Sequence, residues 1–511
     1  MKLRRGLDYG LLICAVGLTR LVCRSHRLYD IDSVNFALAL DRFDPEAHQP
    51  HPPGYFLYVG LGRLARAIFQ DANTALVAVS IVASCAAAAM IYALAESWFG
   101  RKAAIWGGLI FLFSPLCWFH GTVALTYVVE CFFSALVGYL CWQTYCGRFA
   151  FLAPSAVALG LAAGFRQSTI LFLGPLWLLS LCKAPRRHVL ISFTALTLTT
   201  LAWCVPMALQ SRGWAVYAAS LYGLWSLVPA KETVLTSSIA LSLARFCTIL
   251  GIFGLTFGGA SLWGLPSRET HSLEKTKKTF LWVWIAPGLL FFTLVYLKFV
   301  NSGYLLVLSP PIFAWLGSRA AAWFARAKIG AWRKAAAAGA LAAMNAAIYL
   351  YGPFYCSRRA VRTFETELAT IQKGLRQVVG AEEALIVGFD SHFLGYRHAG
   401  YYLPEYLTVL FPEVPSPTGK RVFSLRGRDT QLLNRIPLDS FSTFVLFPLP
   451  SGSPYREHMA LFTGRLPKDA WRMKVAEGQQ FFIGSTTDLT LLFPSSDPHR
   501  ALASTAGNNI R

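Results

Sequence analysis

Residues Tyr29–Phe69 read YDIDSVNFALALDRFDPEAHQPHPPGYFLYVGLGRLARAIF, and this stretch decides how the rest of the chain is read. It gathers Asp30, Asp32, Asp41, Asp44, Glu46, His48 and His51 between two apolar runs, Leu7–Cys23 and Thr74–Leu94. Runs of that length span about 30 Å of hydrocarbon, so the stretch is the first loop of a membrane protein. Ionisable side chains collected at a membrane surface, beside a bundle of helices, are where chemistry is expected.

The composition agrees. Of 511 residues, 55% are hydrophobic and 14% charged, against about 25% charged in an ordinary soluble protein. Apolar runs recur at Ala103–Phe119, Thr122–Gln143, Phe149–Phe165, Ser168–Leu181 and Val189–Leu209. Four more follow at Ser238–Trp263, Phe280–Leu297, Gly303–Ala320 and Ala335–Tyr351. With the two flanking the loop, this predicts about eleven transmembrane helices. The Phe149–Phe165 and Ser168–Leu181 runs are short enough to form a re-entrant pair.

A net charge of +21 could suggest nucleic acid, but the basic residues sit in short loops between apolar runs, a topological pattern that excludes that partner. Lys2, Arg4 and Arg5, then Arg101/Lys102, Lys183/Arg186/Arg187 and Lys275/Lys277/Lys278 mark one side of the membrane. The positive-inside rule places that side in the cytoplasm and the acidic loop outside. An odd number of crossings puts the chain after Tyr351 outside too. The basic start, MKLRRGLDYGLLICAVGLTRLVCR, lacks a small-x-small cleavage site and reads as a membrane anchor. The 11 cysteines are scattered with no CxxC pair, so they read as small hydrophobes. No N-x-S/T sequon occurs, which favours a bacterial cell membrane.

Three domains are expected: a transmembrane module over 1–352, with its first outer loop at 24–73, an outer α/β domain over 353–498, and a flexible tail over 499–511. In the second, ALIVGFD (384–390), STFVLFPLP (442–450) and QQFFIGSTTDLTLLF (479–493) read as strands. Arg359–Val379 reads as an amphipathic helix with Phe364, Leu368, Ile371 and Leu375 on one face.

Within the first loop, Asp30 and Asp32 precede an amphipathic stretch, Ser33–Phe43. One carboxylate is suited to cap that helix while the other points at a substrate in a catalytic role. His51-Pro52-Pro53-Gly54-Tyr55 opens a second, interfacial helix with proline in its first turn, and either forms a rigid turn or binds substrate through His51 and Tyr55. Glu130 lies about 12 Å below the outer surface at 1.5 Å per residue, where a carboxylate marks function or pairs with an arginine such as Arg166. Arg166 and Lys298 are cations at the outer interface, placed for a lipid phosphate or for snorkelling.

An acid at the outer end of the first helix, a helical pair in the first loop closed by an H-P-P-G-Y motif, and an outer α/β tail resemble the GT-C membrane glycosyltransferases. The protein O-mannosyltransferases and aminoarabinose transferases are the branches most alike. GYLLVLSPP (303–311), carrying Tyr304, is similar to the family's late tyrosine–leucine–proline helix start, and ALTYVVE (124–130) to its acidic position after the third span. The likeness covers about residues 1–350. It implies a polytopic α-helical fold and inverting transfer of a sugar from a polyprenyl-phosphate donor to a hydroxyl of a glycan, lipid or protein acceptor. The first-loop acid is the catalytic residue in that family, here Asp32 or Asp30; the frequent Asp-Glu pair is absent, since Ser33 follows Asp32. No cofactor is implied, and a divalent metal is left open. Two other classes compete: a lipid-linked glycan transporter using Glu130, and a non-catalytic envelope assembly protein. Transporters usually show internal repeats, and none is found.

Overall fold

The structure is a computed structural model; it describes residues 2–227, 238–260, 274–294, 299–326, 330–411, 422–434, 436–448 and 471–489. Helix α1 (Lys2–Cys23) leads to α2 (Ile31–Asp41), α3 (Phe56–Phe69) and α4 (Ala72–Phe99). Next come α5 (Arg101–Leu112), α6 (Pro115–His120), α7 (Tyr127–Tyr145), α8 (Leu152–Phe165) and α9 (Ser168–Leu181). Then follow α10 (Arg186–Gln210), α11 (Trp214–Leu227), α12 (Ile239–Phe257) and α13 (Lys275–Leu294). A 3-10 segment at Phe299–Leu308 precedes α14 (Ser309–Arg326) and α15 (Ala331–Tyr351). The C-terminal part holds α16 (Arg358–Val378), β1 (Ala384–Gly388), α17 (Tyr396–Tyr402), β2 (Leu407–Leu410), β3 (Val422–Arg426), β4 (Asp429–Leu433), β5 (Thr443–Leu446), β6 (Trp471–Ala476) and β7 (Gln479–Ser485). Lys298 and residues 499–511 lie outside the described residues.

Two compact units emerge: Met1–Arg27 with Pro52–Arg362, and Leu28–His51 with Thr363–Arg511. In the first, five helical stretches among the described residues are long and apolar enough to cross a membrane. They are Arg4–Cys23, Ala72–Phe99, Arg186–Gln210, Ile239–Ala260 and Asn301–Arg326, and they make the chain an integral membrane protein. Helices α8 and α9 are apolar but only 14 residues each, about 21 Å long.

Three local readings are corrected. The run Ala103–Phe119 is two helices, α5 and α6. Pro115 has no N–H and disfavours helical geometry in Ser114, which turns to an extended conformation and caps α6 by accepting from the Cys117 N–H at 3.2 Å. Trp214–Leu227, outside the expected spans, is helix α11. Finally, α3 starts at Phe56, so the prolines precede it and Tyr55 stands at its N-cap in the left-handed region (φ 46°).

Small residues let the helices close up. A Cβ on Gly317 of α14 would stand 2.4 Å from the Ala103 carbonyl oxygen of α5, so the two helices meet backbone to backbone. Arg20, fully buried in α1, donates to the Leu112 carbonyl at 2.8 Å and the Phe111 carbonyl at 3.4 Å. A cation there satisfies the free carbonyls at the end of α5 and suits its negative pole.

The second unit is built on a seven-stranded sheet of order β4-β3-β2-β1-β5-β7-β6. β1 pairs in parallel with β2 and β5, and the remaining neighbours are antiparallel. Helix α16 buries Phe364, Leu368, Ile371 and Leu375, the stripe that its 3.6-residue period picks out. The surprise is what shares this unit. Helix α2, buried from Ser33 to Leu40 on all its faces and so not amphipathic as expected, packs on α17. Leu28 N–H donates to the Tyr402 hydroxyl at 2.7 Å, and Ile31 N–H to the His392 carbonyl at 2.9 Å. The Arg397 guanidinium, fully buried, donates to the Ala47 carbonyl at 3.1 Å, and Thr430 N–H to Gln49 Oε1 at 2.5 Å. These bonds make Leu28–His51 and the C-terminal domain one unit.

Candidate active site

The first-loop carboxylates are positioned by the start of α2. Asp30 is its N-cap, with extended backbone (φ −105°, ψ 155°), and its Oδ1 accepts from the Asp32 N–H at 2.9 Å. That bond fills one of the donors a helix start leaves open. Asp32, in the first turn, is left to point elsewhere. Its Oδ1 lies 3.3 Å from His51 Nδ1, and its side chain keeps 29% of its surface open. The His51 ring sits 5.8 Å from that of Phe36.

Asp30 is 7% exposed, and its Oδ2 lies 3.9 Å from Nδ1 of His392. Burial, then the Asp32 charge, hold the Asp30 carboxyl well above the usual carboxylate range, while His392 pulls it back down. Asp390, next to His392 in sequence, is also pushed up by burial, with Arg397 and His392 opposing. His48 is pushed well below its ordinary value by burial and by the Arg397 charge, and its ring packs 5.0 Å from Phe423. Asp44 is structural: it closes a β-bridge with Gln49, and its Oδ1 accepts from Ala47 N–H at 3.3 Å. Among the described residues no group of three or more His, Cys, Asp or Glu side chains could hold a metal ion.

The second polar cluster lies in the helical unit. Glu130 sits in the first turn of α7, where the helix pole favours an anion, and is 2% exposed. Its Oε1 accepts from the Thr169 hydroxyl at 2.8 Å, and its Oε2 lies 3.5 Å from Nε of Arg166. Arg166 follows α8 in an extended conformation, 4% exposed, and donates to the Thr126 hydroxyl at 3.0 Å. Its guanidinium lies over three rings: Tyr304 at 4.1 Å, Tyr127 at 4.6 Å and Tyr55 at 5.7 Å. Such stacking supports a cation where water is scarce. The turn before Tyr55 is fixed as well, since the Pro53 carbonyl accepts from Gln167 Nε2 and from the Tyr217 hydroxyl, both at 3.0 Å.

Of the residues singled out by sequence, Asp30, Asp32 and His51 meet in one cluster, and Glu130, Arg166, Tyr55 and Tyr304 in the other. Sequence reasoning missed His392, Thr126, Thr169 and Tyr127. Tyr127 lay inside the ALTYVVE motif and could have been taken from it; nothing in the tail pointed to His392.

Comparison with known proteins supports the fold. Residues 46–189 match the family profile of the TMEM260 protein O-mannosyl-transferase N-terminal domain. The crystal structure of ArnT from Cupriavidus metallidurans bound to undecaprenyl phosphate superposes with a TM-score of 0.56 at 14% identity, over 93% of this chain and 97% of that one. Its apo state gives the same score over 94% and 98%. An archaeal oligosaccharyltransferase, AglB from Archaeoglobus fulgidus in complex with an inhibitory peptide and a dolichol-phosphate, gives 0.46 at 12% identity over 94% and 74%. No curated protein sequence matches the chain. An apolar bundle, a loop-borne carboxylate pair and near end-to-end correspondence with ArnT meet in one conclusion: the chain has the fold of the GT-C membrane glycosyltransferases.

Proposed function

We propose that the protein moves a sugar from a polyprenyl-phosphate donor to an acceptor hydroxyl at the outer face of a bacterial inner membrane, with Asp32 as base. The observation that carries this reading is the division of work at the start of α2. Asp30 spends its carboxylate on the cap, while Asp32 keeps its own partly open and paired with His51. Asp32 takes the proton of the acceptor hydroxyl as that oxygen attacks the anomeric carbon. The bond from the anomeric carbon to the phosphate oxygen breaks, the lipid phosphate leaves with its electron pair, and one displacement inverts the centre. Lys298 and Arg166 are the candidate partners of the lipid phosphate, a charge-assisted contact. His51, Tyr55 and Tyr304 complete the substrate contacts, and Glu130 holds Arg166 in place. In this reading the helical unit crosses the membrane eleven times, with Lys2 inside and the C-terminal domain outside. Support comes from the ArnT structure, which holds undecaprenyl phosphate in the same fold.

The test is a panel of polyprenyl-phosphate sugars offered to purified protein, with release of lipid phosphate as readout. Asp32→Asn should lose about 10²–10⁴ in rate while remaining folded, because it removes a base and keeps size and hydrogen bonding. Asp30→Asn, which preserves the cap, should lose far less. Full activity in Asp32→Asn with loss in Asp30→Asn would move the base to Asp30. Full activity in both would overturn the mechanism.

A further inference from the structure

We propose that His392, contributed by the C-terminal domain, is a positioning residue for the first-loop carboxylate pair, so that this domain is a working part of the site; the proposal deepens the glycosyltransferase reading above and rests on it. Three observations carry it. His392 Nδ1 lies 3.9 Å from Asp30 Oδ2, the carboxylate oxygen that does not take the capping bond. The His392 carbonyl accepts from Ile31 N–H at 2.9 Å, so backbone as well as side chain holds the residue against the carboxylates. The loop that carries it is itself braced. Ser391 N–H and Tyr396 N–H both donate to the Phe389 carbonyl at 2.9 Å, and the Ser391 hydroxyl donates to the Phe393 carbonyl at 2.7 Å. The neighbouring Phe393 ring packs 4.8 Å from that of Tyr29, beside Asp30.

The chemistry follows from charge. Two carboxylates two residues apart on one helix start repel each other, and burial of Asp30 adds to the cost of ionising both. A histidine stands on each side: His51 beside Asp32 and His392 beside Asp30. Among the described residues, the charged groups found against the pair include those two histidines, Asp390 and, acting on Asp390, Arg397. Of these, only His392 stands against Asp30 from the C-terminal domain. A charge on its ring favours the ionised form of the Asp30 carboxyl, which burial and the Asp32 charge oppose.

The experiment compares parent, His392→Gln, Asp30→Asn and the double variant, all full-length in detergent. The first readout is the pH profile of kcat/KM with polyprenyl-phosphate sugar. Loss of His392 should displace the acid side of that profile in the parent and leave it unmoved in the Asp30→Asn background, since His392 acts through Asp30. The second readout needs no activity: the thermal midpoint between pH 4 and 8. A carboxyl raised by folding supplies stability that is present below its unfolded value of about 4 and lost as pH rises through its folded value. His392→Gln should extend that loss to higher pH and deepen it, and in the Asp30→Asn background it should leave the profile unmoved. A uniform drop in stability with neither profile displaced would mean a structural residue and overturn the proposal. If no sugar is transferred by the parent, the proposed function fails, and the stability arm alone still decides whether His392 acts on Asp30.

Discussion

Replacing Glu130 by Gln should destabilise the protein by about 3 kcal/mol, and the reasoning can be followed from the contacts. The carboxylate and the Arg166 guanidinium are both almost wholly buried, with Oε2 3.5 Å from Nε. At that separation the attraction is about 5 kcal/mol for an effective dielectric constant of about 20, and removing one partner of a buried pair typically costs about 3–5 kcal/mol. Two features lower the figure here. Glutamine can still accept from the Thr169 hydroxyl, worth about 1 kcal/mol. The three tyrosine rings around Arg166 still offer the orphaned cation about 0.5–1 kcal/mol each. The assay is a double-mutant cycle on unfolding in mixed detergent: Glu130→Gln, Arg166→Gln and both. Each single change should cost about 3 kcal/mol, and the pair should cost less than the sum by about 2 kcal/mol, because removing the second charge relieves the first. Additive losses would refute the pairing, and a Glu130→Gln protein as stable as its parent would refute the whole account of the buried cluster. The double variant also separates stability from chemistry. Turnover lost in variants that stay folded at the assay temperature assigns the pair a part in the reaction beyond holding the helices.

Two further outcomes are expected. A Cβ on Gly138 of α7 would stand 1.8 Å from the fully buried Trp284 ring, which also donates to Ser134 at 3.0 Å, so Gly138→Ala should cost about 1–3 kcal/mol. Gly174→Ala, at a site in α9 with nothing within 4 Å, should be neutral or stabilising by up to about 1 kcal/mol; thermal midpoints of the two variants check the contrast. Membrane-impermeant labelling of single cysteines at Glu46 and Glu382 should give the same side, and Lys277 the opposite one, following the shared second unit and the basic loops. Labelling of Glu46 and Glu382 from opposite sides would contradict the association of loop and tail.

How far the chain could be read from its sequence depended on whether the decisive contact was local. The stripe Phe364, Leu368, Ile371 and Leu375 lies on one helix, and its period alone foretold burial. A cap is local too: with two acids at a helix start, one was expected to serve it, and Asp30 does. Glu130 and Arg166 were each conspicuous as charges in apolar surroundings, and that conspicuousness is what drew them together, because a buried charge needs a partner. Reading failed where hydropathy averaged over a break or where contact was distant. The apolar run through Phe113 and Ser114 hid a helix end that Pro115 imposes. The 14-residue helix Trp214–Leu227 was passed over although Ser168–Leu181, equally short, was read as a span. His392 meets Asp30 only because a sheet in the tail folds its loop onto the first loop, and no periodicity links residues so far apart.

The H-P-P-G-Y motif shows the same limit from the other side. As sequence it is one unit, a turn that opens a helix. In the fold its first residue and its last serve different units, for the division falls between His51 and Pro52. His51 belongs with the acidic loop and the C-terminal domain, where it stands against Asp32. Pro53 and Tyr55 belong with the helical unit: the carbonyl of the one is held by Gln167 and Tyr217, and the ring of the other lies by Arg166. Tyr55 takes a left-handed backbone at the helix start with no side-chain cap, a conformation a bulky residue rarely adopts and one that costs about 1 kcal/mol or more. Its ring contact with a buried cation gives a reason for a tyrosine there in place of a glycine. The motif is therefore two adjoining devices, one serving a carboxylate and one a guanidinium. Substitutions at His51 should register in turnover through its contact with Asp32, and substitutions at Tyr55 in the stability of the Arg166 cluster.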